Sequence, residues 1–204
     1  AWSRAEDEVR KFIDRTGVPF LASPMGKGVL DDRHPLSVGA ARSHVLQNAD
    51  VIFLMGARLN WIMHYGQAPR FNPNVRVVQL DVSAEAIGNN VPTEVALVGD
   101  GSAMYGIQGL WTAAHLKLPI TYVIAHNRGY RIIKERLVAM QGCDQFIGMD
   151  MNDPVIDYVQ MAQSMGLTAC RVSGPTELAD AVRRGIASGA PNLIEARVAN
   201  GFGA

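Results

Sequence analysis

The chain has 204 residues, enough for one large domain or two small ones that bury a substantial core. Its 19 Lys and Arg residues balance 19 Asp and Glu residues, and no apolar run reaches the roughly 20 residues of a membrane span, so we expect neither nucleic acid nor a membrane as partner. Cys143 and Cys170 lack the spacing of a metal or redox motif, which favours reduced thiols in a cytoplasmic protein.

Helix-like and strand-like patterns alternate along the first half of the chain. Apolar residues recur with helical spacing after Ala5, and the continuous apolar run at 51–55 is typical of a strand buried on both faces of a parallel sheet. The patterns predict helices at 5–16 and 40–48 and strands at 18–22, 51–55 and 75–80.

The second half continues the alternation. Its predicted strands lie at 95–98, 120–125, 168–172 and 193–198, and its predicted helices lie at 105–116, 130–140, 154–165 and 176–187. A turn-rich stretch at 87–92 separates the two sets of elements. The sequence therefore predicts an α/β fold of two parallel-sheet sub-domains, with residues 1–90 in the first and residues 91–204 in the second.

The predicted strand at 95–98 runs directly into Gly99-Asp100-Gly101-Ser102. Open α/β sheets bind ligands at the carboxyl ends of their strands, and flanking glycines let the backbone approach a ligand closely. A carboxylate repels phosphate, so Asp100 suits this place if a divalent cation lies between the two. Mg²⁺ takes about six oxygen ligands, and Asn127, at the end of the next strand, can offer its amide oxygen there.

This GDG motif and the asparagine 27 residues after its aspartate resemble the Mg²⁺-diphosphate motif of thiamine-diphosphate-dependent enzymes. The resemblance implies that Asp100, the side chain of Asn127 and the backbone carbonyl of Gly129 hold Mg²⁺ on thiamine diphosphate. It also implies that Gly101 and Ser102 contact the diphosphate, with Gly99 beside them, and that Tyr130 caps it. One departure is that the family commonly has two asparagines where this chain has His126-Asn127.

Residues 5–90 resemble the middle domain of 2-hydroxyacyl-CoA lyases and oxalyl-CoA decarboxylases. The resemblance rests on segments 24–28, 34–35, 39–43, 48–51, 56–61, 79–81 and 88–90, with GARLNW at 56–61 the densest. It implies a Rossmann-like domain that binds a nucleotide, ADP or CoA, through Arg58 and Asp81. An acidic residue that ends a strand can accept hydrogen bonds from ribose hydroxyls; the alternative is a structural ion pair or a strand-end cap.

From residue 93 onward the chain is more similar to the diphosphate-binding domain of benzoylformate decarboxylases, because of the segment GDGSAMYGIQGLWTAAH at 99–115. The two halves thus resemble different branches of one superfamily, and their junction is shorter than in complete relatives. Such relatives also carry a pyrimidine-binding domain with a proton-relaying glutamate. No glutamate here has a matching context, so we assign no catalytic residue and expect the chain alone to be inactive.

Two further features have open interpretations. His126 lies beside the predicted metal ligand, so a role towards the cofactor is an alternative to packing. The basic run in and just before the predicted helix at 130–140 suits a solvated helix face or the steering of an anionic substrate; its members are Arg128, Arg131, Lys134 and Arg136.

The expected parent function is carbon–carbon bond cleavage or ligation with thiamine diphosphate and Mg²⁺. The preferred reaction converts a 2-hydroxyacyl-CoA to formyl-CoA and an aldehyde, or runs in reverse. A 2-keto-acid decarboxylase of benzoylformate type and a non-catalytic cofactor-binding remnant are the alternatives. The family resemblance also implies a homodimer or homotetramer acting on a small-molecule substrate.

Overall fold

Six parallel strands form one sheet in the computed structural model of the chain, which describes residues 5–201. The strands are β1 (Val51–Met55), β2 (Arg76–Leu80), β3 (Val95–Gly99), β4 (Thr121–His126), β5 (Thr168–Val172) and β6 (Asn192–Arg197). They are arranged in the order β1-β2-β3-β4-β6-β5. This arrangement confirms the predicted α/β class with parallel strands.

Seven α-helices occur in the described part of the chain. They are α1 (Glu6–Thr16), α2 (Arg42–Asn48), α3 (Asp100–Ala103), α4 (Gly109–His115), α5 (Arg131–Gln141), α6 (Tyr158–Ser164) and α7 (Pro175–Ala187). None of these helices between residues 5 and 201 is long and apolar enough to cross a membrane.

The strands predicted for two sub-domains pair with one another. β2 lies beside β3 in register, with Val78 opposite Val95 and Leu80 opposite Leu97. The stretch that we predicted to separate two sheets is therefore a connection within one sheet. The assignment of residues 1–90 and 91–204 to two domains stays a prediction.

Apolar side chains on both faces hold the second half of the sheet in place. Val98, Ile124 and Leu193 pack on one face together with Leu110 of α4 and Tyr158 of α6. Their strand neighbours point the other way, and that second core cluster consists of Val95, Val123, Val172, Ala181, Ile194 and Ala196. Strands with apolar residues on both faces are expected in a parallel sheet covered by helices on both sides.

Four predicted elements differ from the structure. The helix predicted at 154–165 begins only at Tyr158, since the chain before it forms a bridge between Asn152 and Val155. The segment 18–22 forms a single bridge, Phe20 to Ser37, rather than a strand, and Pro19 has no N–H to offer a ladder. β1 lies at the edge of the sheet and is only partly buried: Val51 is 49% exposed, and Leu54 alone among its five residues is buried. The helix predicted at 105–116 is broken: α3 already begins at Asp100, and after the turn at 104–108 the chain resumes as α4.

Candidate functional site

The carboxyl ends of β3 and β4 bring the two halves of the motif together. The two strands are paired along their length, with Gly99 opposite Ala125, so the residues that follow them emerge at the same edge of the sheet. The Oδ2 atom of Asp100 accepts a hydrogen bond from the N–H of Arg128 at 2.6 Å. The aspartate therefore lies directly against the loop that contains Asn127 and Gly129.

Asp100 is buried almost completely, with 1% of its surface exposed. Its Oδ1 atom accepts a hydrogen bond from the N–H of Gly101 at 2.8 Å. Burial raises the pKa of the Asp100 carboxyl above its ordinary value, and the backbone N–H groups of Gly101 and Arg128 oppose that rise. A cation bound at this ligand-binding edge of the sheet would favour the charged form of the buried Asp100 carboxylate.

The loop after β4 presents the other two predicted metal ligands. Oδ1 of Asn127 accepts a hydrogen bond from the N–H of Gly129 at 3.0 Å, and Arg128 between them has a left-handed φ of 62°. The Gly129 carbonyl accepts from the N–H of Arg131 at 3.0 Å. Each of these two oxygens has a second lone pair, so its protein hydrogen bond leaves capacity for a cation.

Gly101 and Tyr130 form the side of the site above α3. A Cβ atom on Gly101 would stand 2.7 Å from Cδ1 of the Tyr130 ring, which shows how closely the ring covers this turn. Ser102 is half-buried in the same turn. The residues predicted to contact a diphosphate are thus neighbours of Asp100.

A buried network of charged side chains, which the sequence patterns did not predict, reaches the site from the side of β6. Glu195 on β6 is fully buried; its Oε1 lies 2.9 Å from Nδ1 of His126, and Arg171 donates to both of its oxygens at 2.7 and 2.9 Å. Burial alone would raise the pKa of Glu195, but the hydrogen bonds and charges of Arg171 and His126 outweigh it and lower the pKa. The sequence signal was a single acidic residue in the apolar strand NLIEAR, since a buried charge requires partners.

Tyr158, which the sequence patterns also did not predict, supports Asp100 from its other side. The side chain is completely buried, and its hydroxyl donates a hydrogen bond to the backbone carbonyl of Asp100 at 2.9 Å. Its ring meets that of His126 edge-on, with 5.2 Å between the centroids. Burial, together with the Asp100 carboxylate, raises the pKa of Tyr158 above its usual range, so the hydroxyl keeps its proton and remains a donor.

A cleft of about 330 Å³ opens at this edge of the sheet. Two buried atoms of its lining, Nε2 of His126 and Oδ1 of Asn200, have no hydrogen-bond partner among residues 5–201. The lining residues are His126, Asn127, Arg128, Asn152, Arg197, Val198 and Asn200. Unpaired polar atoms in a cleft indicate that a ligand or solvent completes their bonding.

Arg58 and Asp81, the predicted nucleotide contacts, do not meet each other or this cleft. Asp81 follows β2, is 6% exposed, and accepts a hydrogen bond from the N–H of Ser83 at 2.9 Å. Arg58 is exposed in the loop after β1, and in the described part of the chain it forms no bond with Asp81. Asp81 thus caps its own turn, in agreement with the alternative of a strand-end cap. Nucleotide binding stays a prediction.

The basic residues near α5 are not a uniformly solvated face. Lys134 is only 2% exposed, because its ammonium group pairs with Asp150 and lies 5.2 Å from the centre of the Phe146 ring. Gly129 forms a bridge with the same Asp150. Lys134 therefore pairs with the segment that forms a bridge with the loop at 127–129, and the predicted solvated face is wrong for this residue.

Two family models match the chain. One, "Thiamine pyrophosphate enzyme, central domain", covers residues 1–105, and the other, "Thiamine pyrophosphate enzyme, C-terminal TPP binding domain", covers residues 82–196. The chain belongs to the thiamine pyrophosphate enzyme family. The two matches overlap at 82–105, a stretch that includes β3 and the GDG motif. The roles of the individual site residues stay predictions.

Curated relatives cover the chain in part or almost entirely. A mouse 2-hydroxyacyl-CoA lyase 1 is 55% identical over 51% of this chain and 18% of its own length. The oxalyl-CoA decarboxylase of Escherichia coli K12 is 44% identical over 52% of this chain and 19% of its own length. A 2-hydroxyacyl-CoA lyase of Saccharomyces cerevisiae is 32% identical over 89% of this chain and 34% of its own length. The chain thus matches about a third or less of each relative.

A thiamine-diphosphate-dependent 4-hydroxybenzoylformate decarboxylase of Rhodococcus jostii RHA1 has a similar solved structure. The TM-score is 0.53 at 17% identity, and the match covers 97% of this chain and 59% of that one. At this identity the similarity shows the fold alone. It agrees with the parallel α/β architecture described above.

Proposed function

We propose that the chain forms the diphosphate- and Mg²⁺-binding part of a thiamine-diphosphate-dependent carbon–carbon lyase of 2-hydroxyacyl-CoA lyase type. One observation carries the cofactor assignment. The buried Asp100 carboxylate lies 2.6 Å from the backbone N–H of Arg128, at the sheet edge where two strands deliver the motif. The lyase type is supported by the relative that is 55% identical over half of the chain.

The residues at this edge suit a cation that bridges to a diphosphate. The carboxylate of Asp100, the amide oxygen of Asn127 and the carbonyl oxygen of Gly129 would supply the protein ligands, with phosphate and water oxygens completing about six positions. When bound, thiamine diphosphate supplies the electron sink for the carbanion left by carbon–carbon cleavage. Gly101 and Ser102 border the same site, and the Tyr130 ring packs closely against Gly101 in the first turn of α3.

The wider assignment belongs to the same proposal. The substrate would be a 2-hydroxyacyl-CoA that yields formyl-CoA and an aldehyde, or the reverse pair. The first half would bind the nucleotide portion, an ADP or CoA, near Arg58 and Asp81. We place the parent protein in the cytoplasm as a homodimer or homotetramer.

A second candidate function is a 2-keto-acid decarboxylase of benzoylformate type. The segment at 99–115, which contains the GDG motif and α4, favours this branch. That segment lies in the half that binds the cofactor, however, and all branches need such a site. It therefore says less about the substrate than the first half does. A non-catalytic cofactor-binding remnant remains the third candidate.

Cofactor binding can be tested by calorimetric titration of thiamine diphosphate with and without Mg²⁺. Asp100→Asn removes the charge but keeps the shape, and we expect it to lower the Mg²⁺-dependent affinity at least about tenfold, since charge-assisted contacts contribute roughly 1.5–3 kcal/mol. Asn127→Ala should weaken binding less, because water can replace a neutral ligand. Asp144→Asn, at an exposed carboxylate, is the matched control. Unchanged Mg²⁺ dependence in Asp100→Asn would refute the assignment.

The reaction type is tested on the whole protein that carries this segment. One sample receives formyl-CoA and an aldehyde, another receives benzoylformate, and mass spectrometry follows the products. We expect a 2-hydroxyacyl-CoA product in the first sample. Decarboxylation of benzoylformate with no acyl-CoA product would replace the lyase assignment with the second candidate.

A further inference from the structure

Another cleft lies in the first half of the chain, beside β1, and its lining is basic. It has a volume of about 190 Å³ and is lined by Arg42, Ser43, Leu46, His64 and Arg70. Arg42 begins α2, whereas His64 and Arg70 belong to the loop that follows β1. The cleft therefore opens near the carboxyl end of β1, at the edge where open α/β sheets bind ligands.

Two hydrogen bonds join this loop to α2 and hold the basic residues beside each other. A guanidinium nitrogen of Arg42 donates to the carbonyl of Ile62 at 3.1 Å. The side-chain amide of Gln47 donates to the carbonyl of Pro69, also at 3.1 Å, and Pro69 directly precedes Arg70. The walls of the cleft are thus held together by bonds to neutral carbonyls, which leave the positive charges uncompensated.

Neither guanidinium group of the cleft pairs with a carboxylate among residues 5–201. The side chain of Arg42 has only neutral acceptors, the Ile62 carbonyl and the Met63 sulfur atom. Elsewhere in the described chain, by contrast, Arg76 donates to both carboxylate oxygens of Glu94 at 2.6 and 2.8 Å. Positive charges that share a cleft without a counter-charge concentrate the electrostatic field there and attract an anion.

The backbone of the loop is strained where it borders the cleft. His64 and Tyr65 both have a left-handed φ, of 48° and 54°. Residues with a Cβ atom rarely adopt this conformation, and it occurs preferentially at ligand sites. The strain therefore supports a binding role for the loop that contributes His64 to the cleft.

We propose that Arg42, His64 and Arg70 form a subsite for a phosphate group. Guanidinium groups match the oxygens of phosphate in geometry and are always charged, and the Ser43 hydroxyl can donate a further hydrogen bond. The volume of the cleft is below the roughly 300–1,000 Å³ of pockets that hold a complete drug-sized ligand. The subsite therefore takes one phosphate group of a larger molecule.

The 3′-phosphate of CoA is the source that we expect. It is a phosphate monoester, with a charge of about −1.5 to −2 at pH 7, and it is separate from the diphosphate of the same molecule. The subsite is inferred from the cleft alone, but its assignment to CoA rests on the proposed function. The diphosphate of ADP is the other source. Dephospho-CoA lacks only the 3′-phosphate, so it distinguishes the two.

The test measures by calorimetry how tightly the chain binds CoA, dephospho-CoA, ADP and inorganic phosphate. We expect CoA to bind at least about tenfold more tightly than dephospho-CoA, because hydrogen bonds between charged groups are worth at least that factor. Arg42→Gln and Arg70→Gln should each weaken CoA binding about tenfold and leave dephospho-CoA binding unchanged.

Arg183→Gln is the matched control, because it removes an equal charge from an exposed arginine of α7. It should leave all four affinities unchanged. Circular dichroism checks that each variant is folded, and Arg70→Gln alters an exposed side chain in case Arg42→Gln does not fold. On the unmutated chain, the ³¹P resonance of the CoA 3′-phosphate should shift on binding more than the resonances of its diphosphate.

The outcomes separate this inference from the proposed function. If neither arginine variant changes the binding of any of the four ligands, the inference is overturned, whether or not Mg²⁺-dependent binding of thiamine diphosphate requires Asp100. If both variants weaken ADP or inorganic phosphate binding but CoA is not preferred to dephospho-CoA, the subsite stands and CoA is not its source. If the arginines determine the preference for CoA while thiamine diphosphate fails to bind with Mg²⁺, the subsite stands and the proposed cofactor assignment falls.

Discussion

The aromatic ring of Tyr130 lies so close to Gly101 that a Cβ atom there would stand 2.7 Å from Cδ1 and 2.9 Å from Cε1 of the ring. Gly101 lies in the first turn of α3, and its φ is not in the left-handed region. A glycine is required here because of the close approach of the ring. The position of Tyr130 is fixed in turn by a hydrogen bond from its N–H to the carbonyl of Met149 at 3.0 Å.

Gly101→Ala should therefore destabilise the fold and displace Tyr130 from the site. Adding a methyl group to a tightly packed position typically costs about 1–3 kcal/mol. Gly99→Ala is the matched control, because a Cβ at residue 99 meets nothing within 4 Å. Urea denaturation measures both free energies of unfolding. Equal stability of the two variants would contradict the packing argument, and Gly101→Ala combined with Tyr130→Ala should recover part of the loss.

The sequence was sufficient for the class of fold because buried parallel strands appear as short apolar runs between helical patterns. The predicted strand at 168–172 coincides with β5, and the one at 51–55 coincides with β1. The failures have local causes. Residues 18–22 form only one bridge because a strand also needs a pairing partner, which a local sequence pattern does not reveal. The position of β1 at the edge follows from the order of the strands in the sheet, which no local pattern contains either.

The hydrogen bond from Tyr158 to the Asp100 carbonyl leads to a prediction about stability. Tyr158→Phe removes only the hydroxyl and its hydrogen bond to that carbonyl, and loss of one such bond typically costs about 0.5–1.5 kcal/mol. Tyr105→Phe, at a tyrosine that is 66% exposed, should have almost no effect. Thermal unfolding of both variants provides the comparison. A Tyr158→Phe variant as stable as the control would mean that this bond does not stabilise the turn.

The site was only partly predictable, because its motif residues follow a fixed spacing in the sequence whereas the residues that support them do not. Asp100 and Asn127 belong to a motif with fixed spacing at the ends of adjacent strands. The supporting residues come from distant segments: Glu195 lies 69 positions from its partner His126 and Tyr158 lies 58 positions from Asp100. Only tertiary structure brings such pairs together, although an acidic residue within an apolar strand already implied a buried partner.

Asp157 stabilises the outer end of the buried network of charged side chains in two ways. As the residue before α6, it accepts a hydrogen bond from the N–H of Gln160 at 2.9 Å, and it forms an ion pair with Arg171 at 3.0 Å. The N–H of Gln160, followed by Arg171, lowers the pKa of the Asp157 carboxyl below its ordinary value of 3.8. The carboxylate form is thus preferred more strongly in the folded chain than in the unfolded one.

This difference determines the pH dependence that we expect from two substitutions. Asp157→Ala removes the cap and the charge, and at pH 7 it should cost about 1 kcal/mol, as is typical for loss of a helix N-cap. Asp157→Asn keeps a capping oxygen and should cost less.

Because the folded-state pKa of Asp157 is lowered, the stability that its charge contributes is complete above the unfolded-state pKa and is lost as the pH falls through the folded-state pKa. The stability difference between the parent chain and Asp157→Asn should therefore shrink when urea denaturation is repeated at about pH 3. Asp180→Asn, at the exposed i,i+3 pair with Arg183, is the control for general charge effects. A difference between parent and Asp157→Asn that is the same at both pH values would show that ionisation of Asp157 does not contribute to stability.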